Sequence, residues 1–171
     1  ISTYFQGTYT IFDPLDLTLG LRYQEEERDL KRASLAVAND DGSETPIRQD
    51  NTPTLRAYQL SPRVALQYRL NDVSQVYTSW SRAYKSPTYN TVNFFDTPEA
   101  VEEEQVDSYE LGAKSDLFDG NLRLNGAAFF IEQKNLLTGF VALASGGVVT
   151  YDNAGDSEVK GVEAEFTLTP M

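Results

Sequence analysis

Cations, amides and aromatic rings are interleaved over one short stretch of this chain: Arg82, Tyr84, Lys85, Tyr89, Asn90, Phe94 and Phe95. Rings stack on flat groups and guanidinium or ammonium groups hydrogen-bond to oxygen, so such a set could hold a small ligand by stacking and hydrogen bonding. Phe94 and Phe95 could equally pack their own loop down. Covalent and acid–base chemistry has much less to work with. The chain has no cysteine and no histidine, so thiolate chemistry and the usual general base and metal ligand are both missing. An enzyme would have to use carboxylates alone, for example Glu110 with Glu163 or Asp107, and nothing in their spacing selects a pair. No catalytic, cofactor or metal site is expected. Asp40-Asp41-Gly42-Ser43-Glu44 lacks the alternating ligands of a calcium loop and reads as a solvated turn. With 26 acidic against 14 basic residues and a net charge of −12, nucleic acid is an improbable partner.

Leu15, Leu17, Leu19, Leu21 and Tyr23 alternate with Asp16, Thr18, Gly20, Arg22 and Gln24. A strict period of two puts one set on each face of an extended strand. The pattern returns in Tyr58, Leu60, Val64, Leu66, Tyr68 and Leu70, and again in Tyr109, Leu111, Ala113 and Leu117. Seven extended segments are expected, over Ser2–Phe12, Leu15–Arg28, Thr54–Leu70, Val73–Tyr84, Val106–Phe118, Asn121–Leu137 and Val148–Thr169. Tight turns (Asp13-Pro14, Asn71-Asp72, Asp119-Gly120) alternate with long linkers at Asp29–Pro53, Lys85–Gln105 and Thr138–Gly147. Segregated loop lengths and long strands with one apolar face are the layout of an outer-membrane β-barrel. A soluble sandwich would use shorter strands. No apolar run reaches the ~20 residues of a membrane-spanning helix. Aromatic girdles are expected from Tyr23, Tyr68, Tyr77, Trp80, Tyr84, Phe118 and Tyr151. Both termini read as interrupted, so residues 1–171 are expected to be one internal piece of a barrel domain.

Several blocks add a resemblance. They are Leu60-Ser61-Pro62-Arg63-Val64-Ala65-Leu66, the run Val76 to Thr88, and Glu104-Gln105-Val106-Asp107-Ser108-Tyr109-Glu110-Leu111-Gly112-Ala113-Lys114. The hairpin Phe118 to Asn125, the block Asn153-Ala154-Gly155-Asp156 and the block Lys160 to Glu165 follow. In order and spacing these resemble the barrel of TonB-dependent outer-membrane receptors. The resemblance implies an all-β, antiparallel up-and-down meander, about seven strands of a 22-stranded transmembrane barrel. It implies a bacterial outer-membrane location, lipid around the barrel, and a plug domain and TonB-contacting segment elsewhere in the parent chain. Uptake of a scarce nutrient is then expected, a ferric siderophore first, with cobalamin, haem or a saccharide as alternatives. A passive porin and a soluble β-sandwich binding module are the other readings. Arg63, Glu110, Lys114, Arg123 and Glu163 are expected on the wet inner wall, with Gly112 and Gly161 leaving room for a plug. Arg82, Tyr84, Lys85, Tyr89, Asn90, Phe94 and Phe95 are the expected ligand contacts.

Overall fold

A computed structural model describes residues 1–30, 34–49, 54–90, 98–142 and 148–169. Thirteen strands run in chain order: β1 (Ser2–Phe12), β2 (Leu15–Arg28), β3 (Ser34–Ala38), β4 (Glu44–Gln49), β5 (Leu55–Asn71), β6 (Ser74–Lys85) and β7 (Thr88–Asn90). Then come β8 (Glu99–Val101), β9 (Glu104–Leu117), β10 (Leu122–Lys134), β11 (Leu137–Ala142), β12 (Val148–Asn153) and β13 (Ser157–Leu168). Seven of them form one antiparallel sheet in the order β1-β2-β5-β6-β9-β10-β13. This is the expected meander, open at β1 and β13. The long linkers are built further than the sequence suggests, because each carries its own hairpin: β3–β4, β7–β8 and β11–β12.

The bounds of β1 and β2 match the alternation in the sequence, and two others need correcting. The sixth segment stops at Lys134, where Asn135 takes a left-handed backbone (φ 54°) and turns the chain into β11. The seventh is two strands, divided at Ala154-Gly155-Asp156 with Gly155 at φ 132°. A run of β-formers does not reveal a corner that depends on one backbone angle. The Asp119-Gly120 turn is also left-handed, at φ 56° and 85°.

There is almost no core. Among the described residues the buried hydrophobic side chains are Ala57, Tyr89 and Val101. By contrast Leu111 is 62% and Val162 83% exposed. A sandwich of this length would bury its apolar faces against each other; here the apolar face of one sheet lies open. Paired residues share a face, so the register collects Leu19, Val64, Trp80, Tyr109 and Phe130 in one row on that outer side.

The upper edge of the apolar face slants. Moving away from the short turns, the first charged residue on that face is Glu25 in β2, Arg56 (one same-face pair higher) in β5, Arg82 in β6, Asp107 in β9, Glu132 in β10 and Lys160 in β13. Glu25 stands six residues beyond Leu19, while the row of Leu19 already holds Lys160 at β13. That is a slide of roughly 20 Å along the strands over five strand spacings of ~4.8 Å. A horizontal membrane boundary then requires a strand tilt of about 40°, which is the tilt of transmembrane barrels. The lower edge slides the same way, from Leu15 in β2 to Leu168 in β13. On β2 the band from Leu15 to Tyr23 matches the ~9–11 residues needed to cross hydrocarbon.

Register also sorts the girdle aromatics. Tyr23, Tyr68, Trp80 and Tyr84 share the outer face, whereas Tyr77 pairs with Gly112 on the polar face and Tyr151 belongs to the β11–β12 hairpin.

Leu66 lies at the middle of this band. In the protein assembled in lipid, Leu66→Lys is expected to destabilise the barrel by about 2–4 kcal/mol. Gln67→Lys, on the opposite face, should cost well under half of that. Urea unfolding in vesicles, read by Trp fluorescence, measures both; equal costs would contradict the assignment of faces.

Candidate functional site

The polar face is built by the same alternation. Arg63, Glu110, Lys114, Arg123 and Glu163 all fall on it, opposite Gly20, Ser79, Gln75, Asp116 and Ala127 respectively. Tyr77 organises the centre. Its hydroxyl donates to Glu110, and Lys114 Nζ stands 5.4 Å from its ring centroid. A hollow of about 340 Å3 opens here among Arg63, Gln67, Gln75, Tyr77, Glu110 and Lys114. The Tyr77 ring covers Gly112, and a Cβ on Gly161 would come 2.7 Å from the Phe129 ring. The space above both glycines therefore belongs to a neighbouring aromatic ring from the wall itself. At the short-turn end Arg123 pairs with Asp116 at 2.6 Å and Arg69 bridges Asp13 and Asp16.

The long-loop end is where the expected ligand residues separate. Arg82 and Tyr84 share the parity of Trp80, so they stand on the outer face, above the hydrocarbon band. Arg82 is committed there: it donates to both oxygens of Asp107 at 2.9 and 3.0 Å and lies 5.7 Å from the Trp80 ring centroid. Asp107, 2% exposed, also accepts from Trp80 Nε1 at 3.1 Å and Gln105 Nε2 at 2.7 Å. Arg82 thus stands apart from Lys85, as the clamp of a buried carboxylate on the outer face. Carrying the alternation two residues past Trp80 would have shown that face.

Lys85 faces the other way and pairs with buried Glu104, which also accepts from Gln133 at 2.6 Å. Tyr89 is buried in the β7–β8 hairpin, its hydroxyl without a partner among the described residues, and Asn90 donates to the carbonyl of Tyr151 at 3.1 Å. Lys85, Tyr89 and Asn90 thus lie along the middle loop. Phe94 and Phe95 fall outside the described residues.

Sequence reading missed the feature that shapes this rim. The β5–β6 ladder ends at Arg63 and Ser81, although β5 continues to Leu55 and β6 to Lys85. Pro62, the next residue up, has no N–H to extend a ladder. The wall is split above it, and side chains bridge the split. Gln59, 3% exposed, donates to Glu103 at 3.0 Å and accepts from Ser86 at 3.3 Å. Ser86 also donates to Glu26, which Arg28 contacts as well. Both roots of the middle loop, Ser86 and Glu103, are thereby held against the polar face of β5. The Pro62 signal was present in the sequence; the partners of Gln59 were not.

The Ser86 hydroxyl first, then Arg28, holds the Glu26 carboxyl below the usual carboxylate range. In the β3–β4 turn the hydroxyl and amide of Ser43 do the same to Asp41. That carboxylate is turned onto its own loop, and among the described residues no acidic cluster is arranged to hold a metal ion.

Comparison with known proteins agrees with this geometry. The family model described as TonB dependent receptor-like, beta-barrel matches residues 1–169. The ferric-pyoverdine 358 receptor of Pseudomonas putida is 29% identical over 110 residues, 63% of this chain and 13% of the relative. Among solved structures, the ferric yersiniabactin uptake receptor of Yersinia pestis superposes with a TM-score of 0.73 at 22% identity, over 96% of this chain and 23% of that one. The outer-membrane ferripyoverdine receptor of Pseudomonas aeruginosa gives 0.63 at 24% identity, over 98% and 20%. The chain thus spans a small part of each relative, and the structural likenesses establish its fold.

Two outcomes follow from the rim. Arg82→Ala is expected to lower stability by about 2 kcal/mol, less than the ~3–5 of a buried charge left with no partner, because Trp80 and Gln105 still donate to Asp107. Arg82→Ala with Asp107→Asn should cost less than Arg82→Ala alone in urea unfolding. For Glu26, the depressed carboxyl stabilises the folded rim above its unfolded pKa, the ordinary one of a glutamate. That contribution is lost as pH falls through the lower folded pKa. Hydrogen exchange at the root of the middle loop should therefore quicken on acidification below about pH 4.5, and Ser86→Ala should weaken this dependence.

Proposed function

The chain belongs to the TonB-dependent receptor-like β-barrel family, and from that premise we propose that it forms part of the wall and mouth of an outer-membrane receptor that imports a ferric siderophore. The family is one of receptors, and the chain is not an enzyme. One observation carries the reading: the family match over residues 1–169 falls on a sheet whose apolar band crosses the strands at barrel tilt. The apolar face meets lipid, and the polar face with Arg63, Glu110, Lys114, Arg123 and Glu163 lines the inside of the barrel. In the parent that inside holds a plug, and import draws on energy delivered through TonB.

The substrate class is supported by the curated relative, a ferric-pyoverdine receptor, and by the chemistry of the mouth. Lys85, still well exposed beside Glu104, and Asn90 lie along a loop rooted on the inner face, where a cation and an amide can meet an oxygen-rich chelate. The same loop argues against a passive porin, since it is tied across the inner side of β5 instead of standing clear of it.

The test is iron-limited growth and uptake of radiolabelled iron in the host with the parent gene deleted. Iron should be offered on catecholate, hydroxamate and mixed siderophores, ferric pyoverdine included. We expect loss of uptake from one class, recovery on complementation, and no recovery when TonB is absent. Unchanged uptake on deletion would remove the siderophore reading. Small-solute permeation that is independent of TonB would favour the porin.

A further inference from the structure

The Asn153-Ala154-Gly155-Asp156 block has no part in the reading above, yet the structure makes it a crossing point. Three chain segments leave the wall close together: the β8–β9 junction at Glu102 and Glu103, the β10–β11 junction at Asn135 and Leu136, and the β12–β13 junction at 153–156. The second and third are laced by backbone, with Leu136 N–H donating to Gly155 O at 2.8 Å and Ala154 N–H to Leu136 O at 3.0 Å. The left-handed Asn135 and the Gly155 angle allow this crossing. Asn135 N–H also donates to Asp156 Oδ1 at 3.2 Å.

The first junction joins the other two mainly through one side chain. Asn153 Oδ1 accepts from Glu102 N–H at 2.8 Å. Asn153 Nδ2 donates to Glu102 O at 3.3 Å and to Asn135 O at 2.8 Å. A primary amide can accept at one end while donating twice at the other. Asn153 therefore fastens both backbone polar groups of Glu102, at the root of the β7–β8 hairpin, to the base of the β11–β12 hairpin. The lesser ties are Asn135 Nδ2 to Glu103 O at 3.5 Å and Asn90 Nδ2 to Tyr151 O.

We propose that Asn153 is a positioning residue that makes the β7–β8 and β11–β12 hairpins move as one body over the barrel mouth. Taking ligand capture from the preceding section, this coupling sets how long the ligand is retained. Glu103 extends the linkage through Gln59 to Ser86 and Glu26. A shift of one hairpin is thereby passed to its neighbour and to the split edge of β5. Asn153 need not touch the ligand.

The experiment uses the full-length parent in outer-membrane vesicles, with spin labels at Ala100→Cys and Thr138→Cys. This chain contributes no cysteine of its own, and both positions are exposed. Without ligand, the wild type should give one narrow inter-label distance and Asn153→Ala a broad distribution. Asn153→Asp, which keeps the acceptor and loses both donors, should fall between them. With ferric pyoverdine as probe, Asn153→Ala should release it about tenfold faster, with association within about twofold of wild type. An unchanged distance distribution in Asn153→Ala overturns the proposal, whatever the ligand result. Should Asn153→Ala assemble poorly, Asn153→Asp decides by the same distances, a distribution as narrow as that of the wild type overturning the proposal. If the wild type fails to bind ferric pyoverdine, that choice of substrate fails, and the distances still judge the coupling.

Discussion

Everything in this sheet follows from the backbone hydrogen bond at membrane depth. Hydrocarbon offers no partner to an N–H or C=O group, and each one left open costs several kcal/mol. Strands that cross must therefore be paired along their whole buried length. Among the described residues β2, β5, β6, β9, β10 and β13 are paired without a break across the row of Leu19, Val64, Trp80, Tyr109 and Phe130. The one interruption between inner strands, the β5–β6 split above Pro62, lies where the outer face of β6 turns charged at Arg82. Once water is present an unpaired strand segment is tolerable, and side chains such as Gln59 and Ser86 replace the ladder. Chemistry on the two faces follows the same constraint, since the backbone fixes which residues meet lipid and which do not.

This explains why the wall was legible in the sequence and the mouth was not. A strand with lipid on one side and water on the other must alternate, so the bounds of β1 and β2 could be read directly from Leu15 to Tyr23 and its partners. The β3–β4, β7–β8 and β11–β12 hairpins have no such obligation. They stand clear of the apolar band, so their residues follow no strict period and read as linkers. The corner at Asn135 and the break at Gly155 depend on single backbone angles, which composition does not encode. Arg82 is a different case. Its parity is legible between Trp80 and Tyr84, but its neighbour across the strands is not. The buried carboxylate of Asp107, two positions beyond Tyr109, was its partner.

The glycines show how the polar face keeps its shape. Gly112 and Gly161 each lie under a ring from the adjacent strand, Tyr77 and Phe129. A glycine weakens a strand because it gives neighbours nothing to pack on, and a cross-strand aromatic covering it offsets that loss. The device also lays the ring flat along the wall. Tyr77 lying over Gly112 can thus reach Glu110 with its hydroxyl while offering its face to Lys114. Two glycines that suggested empty space are the reason the inner surface is fixed.

Wall and mouth consequently differ in the kind of bond that holds them. The wall rests on ladders of backbone bonds that cannot open singly in lipid. The mouth rests on side-chain bonds at Gln59, Ser86, Asn135 and Asn153, each worth about 0.5–1.5 kcal/mol net in water. Bonds of that size hold a preferred arrangement of the hairpins yet can exchange for other contacts of similar strength. Regions of low local stability are where binding loops are drawn from. A receptor needs both properties in one chain: a wall indifferent to ligand, and a rim whose hydrogen bonds are few, local and replaceable. The change from ladder to side-chain bonding at the height of Pro62 is where this chain passes from one to the other.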